Sequence, residues 1–187
     1  MRTLRTKSRI VENWVASVGS PSLALASSIS FMKRQRSNFI LVELQVESSS
    51  GGIPDQKFFE ICVRNTLTAF RESGEITIRV VDWEEGRKLN QRWRGVNEAT
   101  NVLAFTAEGV EHAKPDLLGD LVLCAPVICS EARTQGKSHQ KHWAHMIVHG
   151  VLHLLEFDHK ERGRAEEMEN WERAILSEMG YPNPYER

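Results

Sequence analysis

The stretch HGVLHLLEFDH, residues 149–159, constrains the fold more strongly than any other segment of the chain. His149 and His153 are four residues apart, so on a helix at about 100° per residue they lie one turn apart on the same face. The leucines and valines around them suit the buried side of that helix. The spacing therefore predicts a helix with an apolar back and two histidines on its front.

A third histidine, His159, follows beyond the expected end of this helix. A helical histidine pair completed by a histidine from the next turn gives three zinc ligands and leaves a fourth position for water, the pattern of a catalytic site. Zinc can lower the pKa of such a water to about 7. His149, His153 and His159 are the candidate metal ligands. The spacing alone leaves open the alternative of a buried helix that is merely rich in histidine.

Two neighbours of these histidines bear on the chemistry. Gly150 stands where HExxH metallopeptidases place a glutamate that acts as general base, so the sequence disfavours a peptidase of that class. Asp158 is a candidate catalytic residue, because its carboxylate could orient a ligand imidazole or take a proton from water. The alternative for Asp158 is a residue at the helix end that bonds its own backbone.

Three more histidines lie earlier in the same predicted helix. His145 is one turn before His149, so a set of His145, His149 and His153 is conceivable. A histidine of this kind is more often a solvated or hydrogen-bonded structural residue, and we favour that interpretation for His139, His142 and His145.

The remainder of the chain alternates between strand and helix patterns. Strands are predicted over residues 39–46, 75–82, 100–107 and 118–128. Helices are predicted over residues 55–72, 83–95, 138–155 and 161–180, with Asp55 and Ser138 as N-caps. This order predicts a single α/β (α+β) domain, in which a mixed sheet of about four strands packs with about four to five helices.

The overall composition is that of an ordinary soluble domain. The 187 residues are 41% hydrophobic and 26% charged, with a net charge of -1, so any site for a polyanion must be a local patch. The cysteines, Cys62, Cys124 and Cys129, are odd in number and match no disulfide or metal framework, which favours free thiols in a reducing compartment. No apolar run is long enough to predict a transmembrane helix.

Residues 1–37 differ from the rest, because they combine seven basic residues with the single acidic residue Glu12 and many serines. We interpret them as a disordered, basic N-terminal extension and place the functional domain at residues 38–187. An organelle transit peptide and a true start at Met32 are the alternatives.

The histidine stretch resembles the H-G-x-L-H-L-x-G-[YF]-D-H signature of the YbeY family of single-domain, metal-dependent endoribonucleases that act in ribosomal RNA maturation. The resemblance extends, in the same order along the chain, to EITIRVVD, LNQRWRG, TNVLAF, LLGDLVLC and HWAHMIVHG. Together these segments span roughly residues 39–182.

The resemblance implies a mixed α/β fold with the metal-binding helix over a cleft, one Zn²⁺ ion, and His149, His153 and His159 as its ligands. It also implies that Arg94 lies near the metal and contacts the RNA substrate. A guanidinium can grip a phosphate through two hydrogen bonds and offset charge in the transition state. Spacing alone would favour a surface arginine at the end of a helix.

The sequence departs from the family pattern at two positions. Ala104 replaces a serine, which could remove one contact. Glu156 replaces a glycine that would end the helix with a positive φ, and a residue with a Cβ adopts that conformation at a cost of roughly 1 kcal/mol or more. We expect Glu156 to point to solvent and the three histidines still to converge.

Three functions are compatible with these features. The first is a zinc-dependent, single-strand-type endoribonuclease acting in ribosomal RNA maturation and small-subunit quality control, with the small subunit and its RNA as partners. The second is an RNA-binding ribosome-assembly factor whose metal is mainly structural, and a small-substrate metallohydrolase is a weaker third. Candidate backbone contacts for RNA are Arg92, Arg94, Lys137, Lys141 and Lys160. A monomer in a bacterial cytoplasm is the expected state, with no membrane partner.

Overall fold

The computed structural model describes residues 39–70, 72–107, 116–157 and 162–186. In chain order these form β1 (Ile40–Val46), α1 (Gln56–Ala69), β2 (Gly74–Val81), α2 (Trp83–Arg94), β3 (Val102–Thr106), β4 (Leu117–Cys124), α3 (Ala125–Thr134), α4 (His139–Leu154) and α5 (Arg162–Glu178). The predicted extension at residues 1–37 lies outside the described residues, as do Asp158, His159 and Lys160.

The four strands form one mixed sheet in the order β1-β2-β4-β3. β1 and β4 both run parallel to β2, whereas β3 runs antiparallel to β4. Parallel neighbours need a crossover connection, and α1 supplies it between β1 and β2. The fold class predicted from the sequence, a mixed α/β domain of four strands and about five helices, is confirmed.

Helices cover both faces of the sheet. On one face, buried side chains of α1 and α4 pack against alternate residues of the strands, among them Val42, Ile78 and Leu121. On the other face, a smaller cluster includes Val81, Leu103 and Val122, with Leu89 of α2 packed against it. Burial on both faces explains the continuous apolar run at the end of β4, from Leu121 to Cys124, whereas β2 alternates apolar and polar residues as far as Arg79.

The caps of two helices were predicted correctly. The side chain of Asp55 accepts a hydrogen bond from the backbone N–H of Phe58 at 2.9 Å at the start of α1. Ser138 accepts one from the backbone N–H of Lys141 at 3.3 Å at the start of α4. Both bonds satisfy an N–H that the first turn of a helix leaves without a partner.

One predicted boundary was wrong. The strand expected over residues 118–128 ends at Cys124, and α3 follows without an intervening loop. Val127 and Ile128 continue the β-rich composition, which extended the predicted strand. Pro126 cannot donate to a sheet ladder, but its fixed φ suits the first turn of a helix, and this favours the helix that the structure contains.

No helix among the described residues is long and apolar enough to cross a membrane.

Candidate metal centre

Helix α4 carries the histidine pair and is largely enclosed by the rest of the domain. Trp143, Ile147, Val151 and Leu152 on its apolar back are fully buried in the main core. This packing leaves the opposite face, with His149 and His153, partly accessible. The predicted division of this helix into an apolar back and a histidine front is confirmed.

His149 is oriented by a carboxylate from a distant part of the chain. Its Nδ1 lies 2.7 Å from Oε1 of Glu172 in α5. A carboxylate can only accept here, so Nδ1 of His149 carries the proton and Nε2 carries a lone pair. The side chain of His149 keeps 25% of its surface exposed, whereas Glu172 is buried.

His153 is oriented by the backbone at the end of its own helix. Its Nδ1 lies 2.9 Å from the carbonyl oxygen of Phe157. The carbonyl is also only an acceptor, so His153 likewise donates from Nδ1 and presents a lone pair on Nε2.

The two Nε2 atoms of His149 and His153 face one another at 3.1 Å. Two lone pairs at this distance repel, and a cation held between them removes the repulsion. Two nitrogens bound to one tetrahedral zinc ion at about 2.0 Å lie about 3.3 Å apart. The chemistry and spacing of the pair therefore fit a zinc ion, with each outer nitrogen held by an acceptor as metal-bound histidines usually are.

The pair supplies two ligands, and a metal site needs more. Within the described ranges, no three His, Cys, Asp or Glu side chains form a group able to hold a metal ion. The predicted third ligand, His159, and the predicted catalytic Asp158 fall between the described residues 157 and 162. Their assignments stay predictions.

Glu172 is the centre of a buried hydrogen-bond network behind the pair. Its Oε2 lies 3.0 Å from Nε2 of His145 and also accepts a hydrogen bond from the hydroxyl of Tyr185. Burial alone would raise the pKa of Glu172, but hydrogen bonds from His145 and His149 outweigh it and hold that pKa well below its usual range. The carboxylate is therefore ionised at neutral pH.

Two further members of the network, His145 and Tyr185, are neutral. Burial lowers the pKa of His145, with the hydrogen bond to Glu172 acting in the opposite direction. Burial also raises the pKa of Tyr185, so its hydroxyl stays protonated and donates. Because Nε2 of His145 is committed to Glu172, the alternative ligand set of His145, His149 and His153 is not assembled.

His142 belongs to a separate hydrogen-bond network nearer the start of α4. Its Nε2 lies 2.8 Å from Oε2 of Glu131 in α3, and Asn101 donates to both oxygens of the same carboxylate at 3.1 and 3.2 Å. The structural, hydrogen-bonded role that we favoured for His142 and His145 is therefore confirmed. His139 is the first residue of α4. Its ring lies close to Gly52, since a Cβ at that position would come within 2.9 Å of Nδ1 of His139.

Gly150 allows α4 to approach the sheet closely. A Cβ at this position would lie 3.0 Å from a methyl carbon of Leu121 and 3.2 Å from one of Val102. Gly150 is buried and faces the sheet, away from the histidines. The packing thus gives a physical reason why no glutamate base stands next to His149.

Glu156 occupies the left-handed conformation that the family signature assigns to glycine. Its φ is 65°, and among the described residues no other non-glycine has a positive φ. The backbone N–H groups of Glu156 and Phe157 bond the carbonyls of His153 and Leu152, closing the helix in a Schellman motif. The side chain is exposed, as predicted. The turn is therefore formed despite the Cβ, and it places the Phe157 carbonyl beside His153.

Arg94 lies in the last turn of α2, which is capped by Gly95 at φ 74°. The neighbouring Trp93 ring packs on Phe105 of β3 at 5.6 Å between centroids, while Gly150 of α4 approaches β3 from the other face. Among the described residues, Arg94 forms neither a hydrogen bond nor an ion pair with the histidines. Burial lowers the pKa of its guanidinium, and no carboxylate of the described residues forms an ion pair with it. An anionic ligand would stabilise such a cation.

Sequence reasoning missed Glu172 and Tyr185. The buried residues of α5 include Met168, Ile175 and Leu176, and Glu172 falls on the same stripe at spacings of three and four. A carboxylate on an apolar stripe was the available signal, but the many charges of α5 suggested a solvated face. No pattern marked Tyr185, because it lies beyond the last helix.

Fold and site together define a single-domain α/β protein with a helical histidine pair suited to a metal ion. The family model described as Endoribonuclease YbeY matches residues 46–180. Curated relatives named Endoribonuclease YbeY, from Pseudomonas savastanoi pv. phaseolicola and Pseudomonas syringae pv. tomato, are each 48% identical over 145 residues, covering 77% of this chain and 87% of theirs. The chain belongs to the YbeY family, as its motifs predicted.

Among solved structures, the chain is similar to the solution structure of TM1509 from Thermotoga maritima. The TM-score is 0.50 at 19% identity, and the match covers 79% of this chain and all of that one. At this identity the likeness supports the fold alone.

Proposed function

We propose that this protein is a zinc-dependent, single-strand-type endoribonuclease that acts in ribosomal RNA maturation and small-subunit quality control. The observation that carries the proposal is the pair of Nε2 lone pairs on His149 and His153, 3.1 Å apart and each fixed by an acceptor on Nδ1. His159 is the proposed third ligand.

The enzyme class is the firmest part of this assignment. Membership of a family named for an endoribonuclease, with relatives of that name at 48% identity over most of the chain, confirms the predicted hydrolase acting on RNA. The choice of zinc, the ribosomal target and the role of each residue are proposals that build on it.

The proposed chemistry divides the work between the metal and the chain. A bound zinc ion would act as a Lewis acid and lower the pKa of water or of a substrate hydroxyl. His149 and His153 hold the ion and are kept in one orientation by Glu172 and Phe157. Arg94 binds a phosphate of the substrate and offsets the negative charge that develops during cleavage. Asp158 orients a ligand or accepts a proton.

The remaining assignments concern the whole chain. We assign the activity to residues 38–187 and regard residues 1–37 as a basic extension without a part in catalysis. RNA would be gripped through its phosphates by local basic residues near Arg94, since the net charge of -1 supplies no general attraction. A monomer acting on the small ribosomal subunit in the cytoplasm is the proposed setting.

Metal analysis of the purified protein tests the site. We expect one zinc ion per chain to survive dialysis in the wild type and to be lost in His153→Ala. Lys88→Ala is a matched control, because Lys88 lies on the exposed face of α2 and its ion pair among the described residues is with Glu84 at 3.5 Å. A wild type that binds no zinc after reconstitution would overturn the proposed metal site.

An RNA cleavage assay tests the activity and separates it from a role in assembly. We expect Arg94→Ala to fold, to retain zinc and to lose cleavage of a structured RNA by about 100-fold or more, in line with removal of a preorganised charge-stabilising donor. Binding to the small subunit without cleavage by the wild type would favour the assembly factor.

A further inference from the structure

Glu172 combines features that distinguish it from the other carboxylates described. It is 0% exposed, although it lies on a helix rich in exposed charge. One of its oxygens, Oε1, binds His149, while Oε2 binds His145 and Tyr185. Its three donors come from two positions on α4 and from the segment after α5, so the carboxylate joins separate parts of the chain at one point.

The two carboxylate oxygens of Glu172 accept from different donors. This arrangement determines which nitrogen of His149 carries the proton. Because Oε1 accepts from Nδ1 of His149, the proton is held on the inner nitrogen and the lone pair faces His153. If the proton moved to Nε2, His149 would present a hydrogen in place of a ligand atom. The other donors, His145 and Tyr185, occupy Oε2 and so leave Oε1 for His149.

The three donors need an acceptor at both ends of the side chain at position 172. A buried glutamine could fill the same volume and still accept from one donor and donate to another acceptor. It could not accept at both ends, because its amide nitrogen only donates. The carboxylate is the group that fixes the tautomers of both histidines at once, and it raises the basicity of His149 as a ligand.

We infer that Glu172 is a positioning residue of the metal site, which sets the tautomer and ring orientation of His149 through its Oε1 atom. Tyr185 assists by holding the carboxylate in place from the segment after α5. Within that segment the carbonyl oxygen of Pro184 accepts a hydrogen bond from Nζ of Lys137 at 2.6 Å, which fixes Tyr185 relative to α4. This inference rests on the proposed metal site.

The decisive variant is Glu172→Gln, examined first without metal. Long-range ¹H–¹⁵N correlation spectra of the imidazoles report which nitrogen of His149 is protonated. We expect only the Nδ1–H form in the wild type and a mixture of both forms in Glu172→Gln. Glu169→Gln is the matched control on the same helix, because Glu169 is 42% exposed and, within the described part of the chain, its ion pair is with Arg173 at 3.5 Å.

Metal affinity gives the second measurement. We expect Glu172→Gln to bind zinc about 10–100-fold more weakly than the wild type in competition with a chelator, as found when partners of metal-bound histidines are removed. Substitution by Co²⁺ should give a visible spectrum altered in Glu172→Gln and unchanged in Glu169→Gln. Spectra and affinities equal to those of the wild type would overturn the inference.

A second variant covers the case in which Glu172→Gln does not fold. Glu172→Asp keeps the charge but is one methylene shorter, so its oxygens cannot reach both His145 and His149. We expect the same mixture of tautomers and a loss of zinc affinity, and wild-type behaviour of this variant would again overturn the inference. A wild type without zinc affinity would overturn the proposed metal site, whereas equal tight binding by wild type and variants would overturn only the role of Glu172.

Discussion

His149 and His153 lie one turn apart on the same helix, yet they are held in place by different kinds of structure. His149 depends on Glu172, a side chain 23 residues later in the sequence that reaches it through the packing of α5. His153 depends on the backbone of Phe157, four residues later at the end of its own helix. One histidine is thus held by tertiary structure and the other by local structure.

Because the two histidines are held by different structures, each can be displaced without the other. Loss of the α5 contact would release His149 while the end of α4 stays formed. Loss of the turn at Glu156 would release His153 while the buried network stays formed. Neither change alters either histidine itself.

Glu172→Ala removes the tertiary contact that holds His149, and it is expected to have the largest effect. This change leaves donors of His145, His149 and Tyr185 without their acceptor in a largely buried place, and we expect the free energy of unfolding to fall by about 3 kcal/mol. Urea denaturation of the zinc-free protein would measure it. Glu169→Ala, on the exposed side of α5, should change the value by less than about 0.5 kcal/mol. A loss below about 1 kcal/mol for Glu172→Ala would contradict the buried network.

Glu156→Pro disrupts the local turn that holds His153. Proline fixes φ near -65°, so it cannot adopt the observed φ of 65°, and it removes the N–H that bonds the carbonyl of His153. We expect a loss of about 2 kcal/mol in stability and about 10-fold in zinc affinity, because the Phe157 carbonyl moves away from His153. Chelator competition beside thermal unfolding would measure both. Unchanged zinc affinity would mean that the turn does not position His153.

The ends of α3 and α5 provide a reference for this turn. Both helices close in the same Schellman pattern as α4, but with glycine in the left-handed position, at Gly136 with φ 64° and Gly180 with φ 80°. A Cβ at Gly136 would meet no atom within 4 Å, so the effect of Gly136→Ala is confined to backbone strain. We expect it to lower the melting temperature and to cost about 1 kcal/mol. No destabilisation would contradict the assigned strain.

The reverse substitution, Glu156→Gly, is expected to have the smallest effect and the opposite sign. It relieves the left-handed conformation of a residue with a Cβ, and the greater freedom of glycine in the unfolded chain offsets part of the gain. We expect about 0.5 kcal/mol of added stability by thermal unfolding, with zinc affinity unchanged within about 2-fold. A destabilised Glu156→Gly variant would contradict this expectation. It would show that the glutamate side chain makes a stabilising contact.

The sequence was sufficient to predict what depends on local pattern. The alternation of apolar residues predicted β2, the spacing of His149 and His153 predicted their common face, and the comparison with the family signature predicted the left-handed turn at Glu156. The length of β4 was overestimated, because Pro126 was not weighed against its apolar neighbours.

The parts that could not be predicted are those set by contacts between distant residues or by the backbone. The carbonyl of Phe157 leaves no mark in the sequence, since every residue carries one. The contact between Glu172 and His149 depends on how α5 docks against α4, which no spacing rule gives. Only the packing of α5 beside α4 brings Glu172 into contact with His149.

The close approach of Gly150 to Leu121 and Val102 has a consequence for the evolution of this scaffold. A helical histidine pair four residues apart is one substitution away from the HExxH motif, namely Gly150→Glu. In this fold that substitution would drive a side chain into the strands beneath the helix. The packing of α4 on the sheet therefore opposes a peptidase-like glutamate at position 150. Such a glutamate would require a larger distance between the helix and the strands.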